Sequence, residues 1–328
     1  MAGIIKKWDR LAFGIGACAA LLGACSAGPS RESEPDGTTA QPIVFGTPTS
    51  DPALGAVGSM VYKWSKFGVS GFTCSGTLIA PQVFLTARHC VEETPASVLT
   101  VPALNNFVTF GATASKPEQK VKIKAFLTAP PGPVPGLLGD GGRDVAVLYL
   151  DEAPRGIVPA KLGHFDASML GSQFRIAGFG YTEAYTVGSK VVGTATARAL
   201  SGDWYPLLFN NDYAAFDQWY WTDSSLATPS AAEEQIWWSP NVFTLEPGYE
   251  LLLGGLPGDS VSCFGDSGGP MFRGSTAQDF TVYGVSFAAE GSFATACALG
   301  SGYLALNDEI LAFIQQAVAA APTVLAQH

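Results

Sequence analysis

Positive charge is scarce in this sequence. Lys and Arg together account for 18 of the 328 residues, against 28 Asp and Glu, which leaves a formal net charge of −10. This balance argues against a nucleic-acid-binding protein, because such proteins present a basic surface to phosphate groups. Charged residues of both signs make up only 14% of the chain, and hydrophobic residues make up 47%. Intrinsic disorder is therefore excluded, since the apolar surface is large enough to offset the chain entropy lost on folding.

The N-terminal hydrophobic run is too short to span a membrane. It covers residues 11–24, contains no charge and follows Lys6, Lys7 and Arg10. At ~1.5 Å per helical residue, it cannot cross a hydrocarbon core of ~30 Å. A basic start followed by a short apolar run is typical of a signal peptide, which we predict at residues 1–24.

The end of this signal resembles the lipobox of bacterial lipoproteins. Residues 22–25 read LGAC, so Cys25 would carry the lipid, and this is the only membrane contact that the sequence predicts. The alternative is an ordinary signal peptide cleaved a few residues later, within the small residues 25–27. Either way the protein is exported, to the cell envelope or to the medium. Residues 25–42 lack periodic apolar positions, which predicts a flexible tether or a propeptide.

Four of the six cysteines predict disulfides. Cys18 lies in the signal and Cys25 would be lipidated, which leaves Cys74, Cys90, Cys263 and Cys297. An even number of cysteines in an exported chain indicates two disulfides, and the sequence alone allows three pairings. There is no CxxC spacing, so neither a zinc site nor any other metal site is predicted. No organic cofactor is predicted either.

The body of the chain predicts an all-β fold. Residues 43–305 contain short segments rich in β-branched and aromatic residues, separated by Gly, Pro, Ser or Asn. A single helix is predicted at the C-terminus, where Asn307 would cap the first turn. The residues on one face of that helix would be Ile310, Ile314, Ala317 and Val318. No helix is predicted before it.

A serine between glycines is the first sign of chemistry. Ser267 lies in the sequence GDSGG, the setting of an exposed nucleophile, and the chain has only three histidines, His89, His164 and His328. An α/β-hydrolase would need a histidine after the serine and an alternation of strands and helices. The only histidine after Ser267 is His328, the final residue, and the alternation is missing. The subtilisin order would use Asp144 and His164, but it needs a parallel sheet. The order that remains is His89, Asp144, Ser267.

These residues lie in motifs that resemble those of the chymotrypsin/trypsin-like serine proteases. Residues 86–90, TARHC, are similar to the family's TAAHC, and residues 263–270, CFGDSGGP, match its CxGDSGGP. Residues 144–148, DVAVL, resemble its aspartate strand DIALL. Weaker resemblances are CSGTLI at 74–79 to CGGSLI, IAGFG at 176–180 to VAGWG, and 313–316 to the C-terminal helix. The matches follow family order, so we predict one protease domain over residues 43–321.

The resemblance implies two antiparallel six-stranded β-barrels with a C-terminal α-helix. It implies that Ser267 attacks the scissile carbonyl, that His89 transfers the proton and that Asp144 orients the imidazole. The backbone N–H groups of Gly265 and Ser267 would form the oxyanion hole. The implied disulfides are Cys74–Cys90 and Cys263–Cys297. Protein or peptide substrates and a monomer are expected; the alternative is a catalytically silent homologue used for binding or adhesion.

The start of the domain resembles an activation site. Residues 43–46, IVFG, are similar to the family's IVGG. Cleavage before Ile43 would create an ammonium group that binds Asp266 and orders the oxyanion loop. Pro42 stands where trypsin-activated zymogens have Arg or Lys, so self-activation by a trypsin-like cut is not expected. We predict a mature N-terminus at Ile43.

The resemblance also predicts an apolar specificity pocket. It assigns the pocket to Val261, Ser262, Phe264, Ser286, Phe287 and Ala288. Val261 would lie at the base, where an Asp would select Arg or Lys, and Ala288 replaces a glycine and narrows the entrance. We therefore expect cleavage after Leu, Met, Val or Ala. Asp259 or Glu290, if it reached the pocket, would reverse this preference.

Residues 201–257 are an insertion relative to a compact member of the family. They contain five of the seven tryptophans, and no Lys or Arg occurs from residue 199 to residue 272. One interpretation is an acidic, aromatic exosite that attracts basic partners. The other, which we favour, is a loop whose aromatic side chains pack on the second barrel.

Overall fold

The structure is a computed structural model. It describes residues 43–64, 69–92, 104–132, 137, 143–183, 186–222, 229–290 and 297–327. The predicted signal peptide, the tether with Cys25, and His328 lie outside the described residues.

Six antiparallel strands close into a first barrel. They are β2 (Val57–Trp64), β3 (Val69–Ala80), β4 (Val83–Thr86), β5 (Leu104–Phe110), β6 (Gln119–Thr128) and β7 (Ala146–Leu150). The barrel closes in the order β2-β3-β4-β7-β6-β5. Its interior is filled by apolar side chains, among them Phe84 and Phe110, whose rings meet edge to face at 5.9 Å. The short helix α1 (His89–Glu92) follows β4.

A second barrel of six strands follows. Its strands are β9 (Gln173–Gly178), β10 (Val191–Ala199), β13 (Glu250–Leu253), β14 (Pro270–Arg273), β15 (Thr281–Glu290) and β16 (Gly300–Ala305). Pairing of β9 with β10 closes it. Two short strands extend its sheet, β1 (Thr47–Pro48) on β10 and β8 (Lys161–Leu162) on β15, and β11 (Gly202–Asp203) pairs with β12 (Thr244–Leu245). The predicted architecture of two six-stranded antiparallel barrels is confirmed.

The described residues of the insertion form three helices, α2 (Trp204–Leu208), α3 (Tyr213–Thr222) and α4 (Ala231–Trp238). The expectation that no helix precedes the C-terminal one is therefore wrong. These helices carry aromatic side chains on several faces rather than one apolar stripe, so the periodicity that reveals a surface helix is weak. A capping pair does mark α4, because the Ser230 hydroxyl accepts the backbone N–H of Glu233 at 3.3 Å.

The C-terminal helix α5 (Asp308–Gln327) is present as predicted. The side chain of Asn307 caps it by accepting the N–H of Ile310 at 3.0 Å. Ile310, Ile314 and Ala317 are buried, and the hydroxyl of Tyr149 on β7 donates to the carbonyl of Ala317 at 3.0 Å. Within the described residues, α5 alone has the length and apolar composition to cross a membrane, and here it packs on the first barrel.

Candidate active site

His89 and Asp144 form a hydrogen-bonded pair at the end of the first barrel. His89 opens α1 and Asp144 lies just before β7. The imidazole Nδ1 is 2.6 Å from Oδ2 of Asp144, and the backbone N–H of His89 donates to Oδ1 at 2.9 Å. The Asp144 side chain is 3% exposed and the imidazole 21%. These two contacts fix the ring and leave Nε2 on the side away from the carboxylate.

Ser267 lies on a loop of the second barrel, residues 263–269, which we call the serine loop. The backbone N–H of Ser75 on β3 donates to the carbonyl of Ser267 at 2.8 Å. The Sγ of Cys90 lies 3.7 Å from that carbonyl oxygen and 3.8 Å from Nε2 of His89. One sulfur atom thus contacts both the histidine and the backbone of the serine, so the structure places the backbone of Ser267 next to the His89–Asp144 pair.

Gly268 allows the serine loop to approach the first barrel. Its φ is +83°, and a Cβ there would lie 2.1 Å from Oγ1 of Thr86 and 2.3 Å from the carbonyl oxygen of Ser75. No side chain fits at such distances. The glycine after Ser267 is therefore required by the close contact between the two barrels.

The two disulfides have the pairing that the resemblance implied. Cys74–Cys90 joins β3 to α1 directly behind His89. Cys263–Cys297 joins the start of the serine loop to the segment before β16. The prediction of these two pairs is confirmed.

Three successive backbone N–H groups just after β9 donate to the serine loop and to Ser75 beside it. The N–H of Phe179 donates to the hydroxyl of Ser75 at 2.9 Å. The N–H of Gly180 donates to Oδ1 of Asp266 at 2.7 Å. The N–H of Tyr181 donates to the carbonyl of Phe264 at 2.8 Å. The IAGFG segment thus ends in a row of donors directed at the serine loop and its neighbour Ser75.

Asp266, the residue before Ser267, is buried. Its carboxylate accepts the N–H groups of Gly180 and of Cys263, the latter at 2.9 Å. Burial raises the pKa of Asp266 to about 7, although both hydrogen bonds act in the opposite direction. A Cβ on Gly178 or Gly180 would lie 2.1 or 2.6 Å from atoms of this carboxylate, which explains both glycines of the GFG sequence.

Comparison with known proteins agrees with this geometry. Residues 43–204 match the family model for trypsin. This match covers just under half of the chain and includes His89 and Asp144. Among solved structures, an HL collagenase is 17% identical with a TM-score of 0.55, and the match covers 84% of this chain and 99% of that one. A protein called GrC is 16% identical with a TM-score of 0.53, over 84% of this chain and 100% of that one. No curated protein matches the chain.

The six residues that the resemblance assigned to a specificity pocket lie in the second barrel, either just before or in the serine loop or on β15. Val261 is 1% exposed and packs with Val44 and the Cys263–Cys297 disulfide. Ser262 is also buried; its N–H donates to the hydroxyl of Ser301 at 2.8 Å, and its hydroxyl is hydrogen-bonded to that of Tyr303. The other pocket residues are Phe264, which is 44% exposed, Ser286 and Phe287, which are buried, and Ala288, which is half-buried.

Both acidic side chains that could have reversed the pocket's preference are bound elsewhere. Asp259 accepts the hydroxyl of Thr196 at 2.9 Å on the outer part of β10. Glu290 accepts the indole N–H of Trp204 at 3.2 Å and the hydroxyl of Tyr205 at 3.3 Å. The insertion therefore holds Glu290, and the neighbours of Val261 in its cluster are apolar.

The first residues of the domain are seated in the second barrel. Ile43 is 1% exposed and Val44 is fully buried. The carbonyl of Val44 accepts the N–H of Val261 at 3.0 Å, and the carbonyl of Phe45 accepts the hydroxyl of Ser260 at 2.9 Å. Phe45 has a φ of +64°, the left-handed region that suits the glycine of the family's IVGG. This segment is thus packed against the chain that leads into the serine loop.

Arg143, the residue before Asp144, is anchored in a buried charge network. Its guanidinium donates to both carboxylate oxygens of Glu246 at 2.8 Å and to Glu309 at 3.1 Å. It also lies 3.5 Å from the centre of the Tyr249 ring. Although burial opposes it, Glu246 raises the pKa of Arg143. The network links the segment before β7, which contains Asp144, to the later part of the insertion and to α5.

The aromatic residues of the insertion form a cluster of their own. Buried within it are Trp204, Tyr205, Leu208, Phe216, Trp219 and Tyr220, together with Leu252 of β13. Tyr205 stacks on Trp237 with ring centres 4.9 Å apart. Some apolar side chains remain outside, since Trp221 is 46% exposed and Ile236 is 51% exposed. This packing agrees with the interpretation that we favour, a loop whose aromatic side chains pack on the second barrel.

Sequence reasoning missed several residues that hold the site. Ser75 was taken only as part of the CSGTLI motif, and Tyr181 and Arg143 were given no role, because nothing in the sequence spacing indicates their partners. His164 lies apart from the triad, 3.5 Å from Asp308 and 43% exposed.

Proposed function

We propose that this protein is an exported serine endopeptidase that cleaves peptide bonds through an acyl-enzyme on Ser267. The observation that carries the proposal is the double contact of Asp144 with the ring and the backbone of His89, beside a serine loop bound to the same barrel. An orienting carboxylate, a base and a glycine-flanked serine are the parts that such a reaction requires. The match of residues 43–204 to the family model for trypsin supports the same class.

The reaction would proceed in two halves. Ser267 Oγ attacks the scissile carbonyl carbon while its proton passes to Nε2 of His89, and Asp144 stabilises the imidazolium. The N–H groups of Gly265 and Ser267 bind the oxyanion, each contributing about 10²–10³ in rate. The tetrahedral intermediate collapses as His89 protonates the leaving amine. Water, deprotonated by His89, then attacks the acyl ester and releases the new carboxylate and the free serine.

The preferred substrate has an apolar residue before the scissile bond. Val261 offers a cationic side chain no partner, and a buried unpaired charge costs several kcal/mol. The engagement of Asp259 by Thr196 and of Glu290 by Trp204 and Tyr205 supports this preference. Each methylene buried in the pocket would contribute about 0.8 kcal/mol to binding.

Activation would follow cleavage before Ile43. The new ammonium would stabilise the buried carboxylate of Asp266, whose pKa is raised to about 7 while only backbone donors are hydrogen-bonded to it. Because Pro42 precedes the site, another protease would make the cut. Full activity in material whose N-terminal sequence still includes residues 26–42 would contradict this step.

Export and attachment follow from the N-terminal sequence. We propose removal of residues 1–24 and a lipid on Cys25; the two disulfides are consistent with an extracellular protein. Mass spectrometry of the N-terminal peptide distinguishes a lipidated Cys25 from a later cut.

The alternative function is that of a silent homologue which binds without catalysis. Labelling with a fluorophosphonate probe separates the two, since the probe reacts only with an activated serine. We expect labelling of the processed wild-type protein and none of Ser267→Ala. A folded, processed wild-type protein that stays unlabelled would leave only the binding function.

A further inference from the structure

Ser75 directs its polar atoms at the serine loop and its supports. Its N–H donates to the carbonyl of Ser267 at 2.8 Å, and its hydroxyl donates to the carbonyl of Gly265 at 2.9 Å. The hydroxyl also accepts the N–H of Phe179 at 2.9 Å, and its own carbonyl accepts the hydroxyl of Thr86 at 2.8 Å. The residue is fully buried on β3. It stands at the second position of CSGTLI, where the family motif CGGSLI has a glycine, so its hydroxyl is an addition to the motif.

We propose that the Ser75 hydroxyl is a positioning residue for the oxyanion hole. The inference rests on the proposed function, because it concerns how the first barrel holds the oxyanion donor Gly265. The hydrogen bonds run from the Phe179 N–H to the Ser75 oxygen and from the Ser75 hydroxyl to the Gly265 carbonyl. A buried chain of this kind is strengthened because each bond polarises the next.

The geometry explains why the backbone of Gly265 needs these hydrogen bonds. Gly265 has no side chain to restrain its backbone, and glycine adopts many conformations. The carbonyl before its N–H, that of Phe264, is held by Tyr181, and its own carbonyl is held by Ser75. With both neighbouring carbonyls fixed, the plane that contains the Gly265 N–H cannot turn away from the cleft. Loss of the hydroxyl would also leave the Phe179 N–H and the Gly265 carbonyl without these partners.

Loss of the Ser75 hydroxyl should slow only the steps in which negative charge develops on the substrate carbonyl. Ser75 does not touch the substrate in this scheme, so ground-state binding should not change. We expect Ser75→Ala to lower kcat about 10-fold to 100-fold, with KM changed less than about 2-fold. The pH profile of kcat/KM on the acid side reports His89 and should stay where it is, because the His89–Asp144 pair does not involve Ser75.

A pair of inhibitors isolates this step. A peptide aldehyde adds to Ser267: the Oγ–C bond forms, the carbonyl electron pair moves to oxygen, and the serine proton passes to His89. The peptide alcohol of the same sequence makes the same side-chain contacts but no oxyanion. Ser75→Ala should weaken the aldehyde about 10-fold to 100-fold and the alcohol less than about 2-fold. Ser75→Gly should behave in the same way. Like the alanine variant it keeps the backbone N–H that donates to Ser267, and it is the second variant to test if Ser75→Ala does not fold.

Ser59→Ala is the matched control. Ser59 is equally buried in the first barrel, on β2, and its hydroxyl is hydrogen-bonded to that of Thr109 at 2.6 Å. This variant should lose stability without changing the aldehyde-to-alcohol ratio. An unchanged ratio in folded Ser75→Ala or Ser75→Gly, or equal weakening of both inhibitors, would overturn the inference. A wild-type protein that binds aldehyde no better than alcohol and is not labelled by the fluorophosphonate would instead overturn the proposed function.

Discussion

The backbone N–H of Tyr181 donates a hydrogen bond of 2.8 Å to the carbonyl oxygen of Phe264. In a trans peptide the C=O and N–H groups point to opposite sides, and no cis peptide occurs in the described part of the chain. The N–H of Gly265 belongs to the same peptide unit as the Phe264 carbonyl, so it points away from Tyr181. This contact therefore sets the direction of a proposed oxyanion donor before any substrate binds.

A methyl group on Gly180 should disturb this arrangement. In Gly180→Ala it would lie 2.6 Å from Cγ and 2.7 Å from the backbone N of Asp266, so the serine loop must move. We expect kcat to fall about 10²-fold or more, the loss that follows removal of one oxyanion donor. Steady-state kinetics on a peptide substrate measures it. Gly171→Ala is the control: its φ of +78° strains any side chain, but its methyl meets nothing within 4 Å, so it should lose stability while kcat stays unchanged. Normal activity in Gly180→Ala would contradict the prediction.

The buried carboxyl of Asp266 predicts that the uncleaved protein loses stability as pH rises. The pKa of Asp266 is raised from 3.8 to about 7, so the folded state binds this proton more tightly than the unfolded state. The free energy of unfolding should therefore decrease between about pH 4 and pH 7, by at most ~1.4 kcal/mol per pH unit. Chemical denaturation across this range measures the slope.

The same measurement on two altered forms of the protein tests whether Asp266 causes this pH dependence. Asp266→Asn should flatten the slope, because the titrating group is gone. Cleavage before Ile43 should flatten it as well, since an ammonium partner would return the carboxyl's pKa toward or below its ordinary value. The same slope in wild type and Asp266→Asn would assign the pH dependence to another group.

An acidic residue at the base of the pocket should reverse its preference. The wild-type protein should cleave a mixed peptide library after Leu, Met, Val or Ala, and Val261→Asp should shift kcat/KM toward Arg and Lys at least about 10-fold. Val261→Asn is similar in shape without the charge and should not favour basic residues. Glu290→Gln should leave the preference unchanged, because Trp204 and Tyr205 hold that carboxylate. Dominant cleavage after Arg or Lys by the wild type would show that Val261 is not the base.

Breaking the Arg143–Glu246 pair should cost stability. Arg143 is 5% exposed and both carboxylate oxygens of Glu246 lie 2.8 Å from it, so Glu246→Gln removes a buried partner and should cost roughly 3 kcal/mol. Urea denaturation of Arg143→Met, of Glu246→Gln and of the double variant gives the coupling free energy between the two residues. Asp151→Asn breaks the exposed Lys124–Asp151 pair of 3.6 Å and should cost below ~1 kcal/mol. An equal loss of stability in Glu246→Gln and in Asp151→Asn would show that burial does not increase the contribution of the Arg143–Glu246 pair.

The local sequence pattern predicted the strands and the C-terminal helix, whereas the two barrels and the disulfide pairs were implied by the resemblance of the motifs to a known family. The strands alternate with turn residues, and Asn307 marks the start of α5. The insertion helices escaped prediction since their stability comes from mutual aromatic contacts, such as that of Tyr205 with Trp237, and not from one apolar face. The support of the serine loop by Ser75 could not be predicted, because it joins residues 190 positions apart whose proximity depends on both barrels being folded.

Both disulfides close loops inside a single barrel, Cys74–Cys90 in the first and Cys263–Cys297 in the second. The chain passes between the barrels through an exposed segment that begins at residue 151, yet α5 returns to the first barrel and binds Tyr149. A single nick at Glu152 would therefore yield two covalently separate halves. We expect them to elute together on native size exclusion and to separate on a non-reducing denaturing gel. The same division would make this domain suitable as a split protease, in which two separately encoded fragments regain activity only on meeting.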